Sequence, residues 1–141
     1  MTYDPSTIRS NLKTLLQTVT EIQYVYDYFN PNIEGYPAII FDISNNDNQM
    51  LTDTENLRKI TFSIYILVEV SVVGQSEAKR ILDVASKQVI TALEKITNIS
   101  LSGSVDWIMP TLGKRQQFET PEGATMSQEL ILDVKVSSSI L

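Results

Sequence analysis

The chain has 141 residues, with 17 Asp and Glu against 11 Lys and Arg, a formal charge of -6, and neither cysteine nor histidine. Those absences exclude disulfides, thiolate nucleophiles, zinc sites of Cys or His type and any Ser-His-Asp triad. The acidic balance argues against a protein that grips nucleic acid by its phosphates, which needs clustered Lys and Arg. The length suits one domain, residues 1–141, around one core.

In chain order, the N-terminus lacks the basic and apolar regions of a signal peptide, so synthesis in a cytoplasm is expected. Asp4-Pro5 is a helix start, with Asp as N-cap and Pro in the first turn. Ile8, Leu12, Leu15, Leu16 and Val19 recur at spacings of three and four, predicting an amphipathic helix from Pro5 to about Thr20. Over Glu21–Phe29 the period changes to two, with Tyr24, Tyr26 and Tyr28 on one side, which predicts a strand. Asn30-Pro31-Asn32 and Glu34-Gly35 are turn chemistry.

Tyr36–Ile43 is expected as a second strand, and Ser44–Leu57 as a long polar loop. Arg58–Val73 carries the clearest pattern: Ile60, Phe62, Ile64, Ile66, Val68, Val70 and Val72 alternate with Thr61, Ser63, Tyr65, Leu67, Glu69 and Ser71. A strand of that length spans roughly 50 Å, several times the usual extent, and is expected to outrun its own core. It is too polar and too short to cross a membrane as a helix, and no membrane partner is expected. After Gly74, Ser76 is the expected cap of a helix over Ser76–Thr97, whose apolar stripe runs from Ala78 to Ile96. Ser104–Met109 is expected as a short strand, Pro110–Thr125 as a second long loop with a turn at Thr120–Gly123, and Ser127–Ser138 as the closing strand. The fold class that follows is α+β: a mostly antiparallel sheet with a long central strand, packed by two main helices.

Candidate chemistry is sparse. Asp42, Glu69 and Asp133 could form a carboxylate pair of the kind hydrolases use, but no third catalytic group accompanies them, and a solvated sheet face with cross-strand charge pairs is the better explanation. Asp47, Asp53 and Glu55 lack the glycine and the spacing of a calcium loop, so no metal and no cofactor is expected. Lys114-Arg115 is a basic pair in a loop, usually only solvated, with DNA or an acidic partner as the functional alternatives. The tyrosine face reads as core or subunit contact, since no basic residues interleave it as base stacking would require.

The order of these elements resembles the tail terminator (tail-completion) proteins of long-tailed bacteriophages. The resemblance is carried by the N-terminal amphipathic helix leading into YPAIIFDIS at Tyr36–Ser44 and by RKITFSIYILVEV at Arg58–Val70 after a polar stretch. The single long helix SEAKRILDVASKQVITALEKI and the closing pair VDWIMP and SQELILDVKVSS complete it. It covers nearly the whole chain in architecture, without a short invariant motif.

The resemblance implies a non-enzymatic virion protein of the tail or neck, assembled in the bacterial host cytoplasm. It would form a homo-oligomeric, commonly hexameric ring that seats on the tail tube protein, ends tube polymerisation and meets the head–tail connector or neck protein. DNA would pass through the lumen without specific binding, and a net negative subunit would keep that channel repulsive. A closed ring needs two different complementary patches. The strand ends supply Arg58, Lys59, Thr61, Val70 and Val72 as candidates, and the two loops supply Asp47, Asp53, Glu55, Lys114, Arg115 and Phe118. Another neck or head–tail joining protein, and a small-molecule-binding module using the tyrosine face or a pocket beside Trp107, remain as alternatives.

Overall fold

The computed structural model describes residues 3–29, 32–50, 55–120 and 123–139. Helix α1 (Pro5–Leu16) leads to strands β1 (Tyr24–Tyr26), β2 (Ala38–Met50) and β3 (Glu55–Glu69). The short helix α2 (Val70–Val73) and the long helix α3 (Gln75–Glu94) follow, then β4 (Trp107–Thr120) and β5 (Gly123–Ser139). The strands form one five-stranded sheet in the order β1-β2-β3-β5-β4. Every pairing is antiparallel except β1 with β2. The class is therefore α+β, with β3 central as its alternation predicts.

The period-two pattern decides which face is buried. Ile60, Phe62, Ile64, Ile66 and Val68 of β3 share this face with Ile39 and Phe41 of β2 and with Met126, Leu130, Leu132, Val134 and Val136 of β5. All are buried against the apolar stripes of α1 (Ile8, Leu12, Leu16) and α3 (Ala78, Leu82, Ala85, Val89, Leu93). Phe41 and Phe62 meet nearly edge to face, with ring centroids 6.0 Å apart. Each such side chain contributes about 1.5–3 kcal/mol on burial, so the sheet is held by its helix-covered face. No described helix covers the other face.

The helix starts follow capping chemistry in one case and not in the other. Asp4 accepts hydrogen bonds from the Ser6 and Thr7 amides at 3.1 and 3.3 Å and from the Thr7 hydroxyl at 2.8 Å. These bonds hold its carboxyl below the ordinary value. The expected Ser76 cap is not used: α3 starts one residue earlier, behind Gly74 at φ 88°, with no side-chain cap. α1 ends at Leu16 and α3 at Glu94, each short of its apolar stripe, and β1 keeps only three residues of the strand expected over Glu21–Phe29.

Three larger corrections concern the strand ends. First, the described parts of Ser44–Leu57 are strand rather than loop, residues 51–54 lying outside the described residues: β2 runs on to Met50 and pairs with β3 down to Asn56, across a bulge between Ile43 and Asn45. Second, the described parts of Pro110–Thr125 are strand rather than loop: β4 continues to Thr120 and pairs with β5 from Gly123, and the middle of the expected turn, residues 121–122, lies outside the described residues. Pro110 does not stop it because β4 is an edge strand, where a proline whose missing N–H faces outward removes no ladder bond. Third, β3 ends at Glu69 rather than Val73. On the β2 side its partner runs out there, since β2 begins level with Leu67, and on the other side the ladder with β5 ends at Glu69–Thr125. The chain instead closes a helical turn, with the Gly74 amide donating to the Val70 carbonyl at 2.8 Å. The Ala124 amide donates to the Ser71 hydroxyl at 2.7 Å and fastens that turn to β5.

Candidate functional site

The uncovered face of the sheet can be read row by row from the ladder register. One row runs Ile40, Tyr65, Glu129; the next Asp42, Ser63, Ile131, Thr111; then Asn45, Thr61, Asp133, Met109; then Asp47, Lys59, Lys135, Trp107. Acids outnumber bases: Asp42, Asp47, Glu69, Glu129 and Asp133 face Lys59 and Lys135. Lys59 and Lys135 lie directly opposite, a repulsive cross-strand pair. Asp47 flanks Lys59 on one side, and on the other Lys135 Nζ sits 4.9 Å above the Trp107 ring. Burial and the facing Glu129 carboxylate push the Tyr65 phenol up from its ordinary value. Phe29 packs on Tyr65 at 5.9 Å between ring centroids and borders the face at its β1 side.

Several expected interface residues are brought to the distal half of the β2–β3 hairpin. Arg58 lies on the helix side, its guanidinium 4.3 Å from the Tyr3 ring centroid and its Nη1 donating to Asn46 Oδ1 at 3.4 Å. The Tyr3 hydroxyl also bonds the Asn46 amide at 3.1 Å. Arg58 Nε is buried without an acceptor among the described residues. Thr61 donates to Asp133 Oδ1 at 3.3 Å, and Asp47 accepts from the Asn45 amide at the same distance. Asp53 lies outside the described residues; Glu55 opens β3, its backbone level with Ser139.

At the opposite end the expectations divide. Lys114 is exposed in a bulge of β4 between Leu112 and Arg115. Arg115 is not a free charge: it pairs with Asp83 of α3 at 2.8 Å and donates to Gln128 Oε1 at 2.9 Å. Gln117 accepts from Gln75 of α3 at 2.8 Å. Phe118 is half exposed on the uncovered face, level with Thr125. Val70 is a correction, because it is 9% exposed and packs into the core, whereas Val72 in the same turn is 75% exposed.

The other candidate chemistries are not assembled. Glu69 lies eight residues along β3 from Thr61, the neighbour of Asp133. That separates the two carboxylates by about 26 Å, far beyond a catalytic pair. Asp42 is neutralised by Arg9 at 2.9 Å. The tyrosine face is not core: Tyr24 and Tyr28 are exposed, stacked and edge-on against Tyr26. Gly35 is fixed by the Tyr24 ring, which a Cβ there would meet at 2.5 Å. A groove of about 660 Å³ lies between the end of α1 and α3, lined by residues such as Thr20, Lys87, Gln88 and Lys95, away from both the tyrosines and Trp107.

Sequence reasoning missed the two sheet edges. Along Phe41–Met50 no described strand pairs with the outer side of β2, and none pairs with β4 on its outer side. The signal available was weak: a polar, mostly Gly- and Pro-free run, Ser44–Met50, is compatible with a strand exposed on both faces.

No protein-family model matches the chain, and no match is found among curated proteins. Among solved structures it is similar to a chain of the virion of a native gene transfer agent particle. The two are 13% identical with a TM-score of 0.48, over 93% of this chain and 92% of that one. No described helix is long and apolar enough to cross a membrane.

Proposed function

We propose that the chain is a structural subunit of a phage-like particle that forms a ring at the head-proximal end of the tail, ends tube polymerisation there and joins the tube to the neck. The observation that carries this reading is the sheet itself. Among the described residues it is covered by helices on one face only, has bare outer edges on β2 beyond its pairing with β1 and on β4, and ends in two hairpins at opposite ends. Such a subunit has different patches on its two sides, which heterologous ring closure requires. The sequence resemblance to tail terminator proteins supplies the place in the particle. The role in this reading is mechanical, as the resemblance implies.

The acidic uncovered face suits a channel wall. With Asp42 already paired to Arg9, the remaining Asp47, Glu69, Glu129 and Asp133 against Lys59 and Lys135 would repel phosphates, so DNA would slide past without being held. The test is native mass spectrometry of the purified chain, alone and with tail tubes of the same particle, followed by electron microscopy of the tubes. The expected result is a ring, hexameric by the resemblance, seated on one tube end and blocking further growth. A tight dimer that leaves tube growth unchanged would overturn the reading.

A further inference from the structure

The geometry points to the ring interface itself: the outer edge of β4 over Arg115–Thr120 pairs, antiparallel, with the outer edge of β2 over Asn45–Met50 in the next copy of the chain. This deepens the ring reading and rests on it. An unpaired edge is a row of free backbone donors and acceptors, and proteins that must not use one guard it with proline, charge, bulges or a covering segment. Here the guards stop partway. On β4, Pro110 and the bulge carrying Lys114 protect the first half, and beyond them Arg115–Thr120 has no proline and no glycine. On β2, the three-residue β1 and then Arg9, which bonds Asp42 and the Asp27 carbonyl, close the first half as far as the bulge at Ser44. Beyond that bulge, Asn45–Met50 is bare at its edge among the described residues.

The two bare stretches match in several ways. They are equal in length and lie on opposite edges of the sheet. β2 and β4 run antiparallel within the sheet, so a neighbour in the same orientation presents its β2 antiparallel to β4. Both stretches are held in place before any partner arrives, which lowers the ordering cost of association. Arg115–Asp83 and Gln117–Gln75 pin β4 to α3, while Tyr3, Arg58 and Asn46 pin β2. Exposed Phe118 and Met50 sit on these stretches and would lose apolar surface to water on pairing. The stretches also lie at opposite ends of the sheet: Phe118 is level with Glu69, through Thr125, and Asn48 with Arg58. With Gln116, level with Leu67, set opposite Gln49, level with Leu57, pairing shifts each copy by about 33 Å along the strands relative to the last. In a closed ring that stagger inclines the strands to the ring axis, as in any closed sheet.

The absence of cysteine makes the test clean. Gln49→Cys and Gln116→Cys place thiols on exposed sites of the two stretches, both on the uncovered face. Treated with a short bismaleimide, the double variant is expected to give a ladder of covalent multimers ending in a closed ring. Either single variant alone should give none, and the two singles mixed should give dimers only. Single variants that link to themselves would show a two-fold contact and overturn the proposal. A ring by native mass spectrometry with no links in the double variant would overturn the edge pairing and leave the ring. A ladder that never closes would support the edge pairing and overturn the ring. Neither ring nor links would overturn both.

Discussion

The middle of the sheet and its two ends are built from the same strands by different physics. In the middle, β3 alternates buried Ile60, Phe62, Ile64 and Ile66 with half-exposed neighbours, and burial against α1 and α3 fixes the register. At the ends, Asn45–Met50 and Arg115–Glu119 are exposed on both faces, and ladder bonds with a few side-chain pins hold them. The middle secures the fold. The ends cost little to alter within one subunit and are the parts free to contact another.

Mutations should separate these regimes. The largest effect is expected from Phe62→Ala, which empties a fully buried site against Phe41 and should cost about 3–5 kcal/mol in urea denaturation. A cost below about 1 kcal/mol would mean that the middle does not secure the fold. Next, Gly74→Ala should cost roughly 1–3 kcal/mol, because φ 88° with ψ 163° is a conformation that a side chain strains. Its measured cost tests whether the turn that ends β3 is a fixed boundary of the core.

Arg115→Ala should change global stability by at most about 1 kcal/mol, since its partner Asp83 is largely exposed. Amide exchange over Gln116–Thr120 should quicken nonetheless, while Ile60–Val68 stays protected. Uniform quickening across both segments would erase the distinction between middle and ends. The smallest effect concerns Asp4. Its carboxyl is held low by the Thr7 hydroxyl and the Thr7 and Ser6 amides, so its contribution is present above the unfolded carboxylate value. That contribution disappears as pH falls through the lower folded value. Thermal melts of Asp4→Asn should therefore lose less stability than the parent on acidification, and parallel curves would show that the cap does not titrate as described.

Much of the middle was legible in the residues. The stripes of α1 and α3 and the alternation of β3 and β5 name most of the core, because burial demands an apolar residue at each inward position whatever the surroundings. The strand ends were not legible. Polar Asn45–Met50 reads as loop and Pro110 as a stop, since an edge or doubly exposed strand places no demand on side-chain pattern and tolerates proline. Val70 and Val72 show the converse. Their alternation continues the strand, yet β2 offers no partner beyond Leu67 and the chain turns into α2, so one enters the core and the other is left in water.

The same division holds for the candidate interface. Length, acidity and the lack of Cys and His set the limits on chemistry by themselves, because a missing side chain is missing in every fold. Which charges are spent inside the subunit was decided only in three dimensions. Arg115 is tied to Asp83, thirty-two positions away, and Arg9 to Asp42, while Lys59 and Lys135 are brought face to face by strand order. The residues alone thus determined a helix-backed sheet with a long central strand. Tertiary pairing determined where that sheet stops and which of its edges stay open, because a backbone edge is defined by the partner it lacks rather than by the side chains it carries.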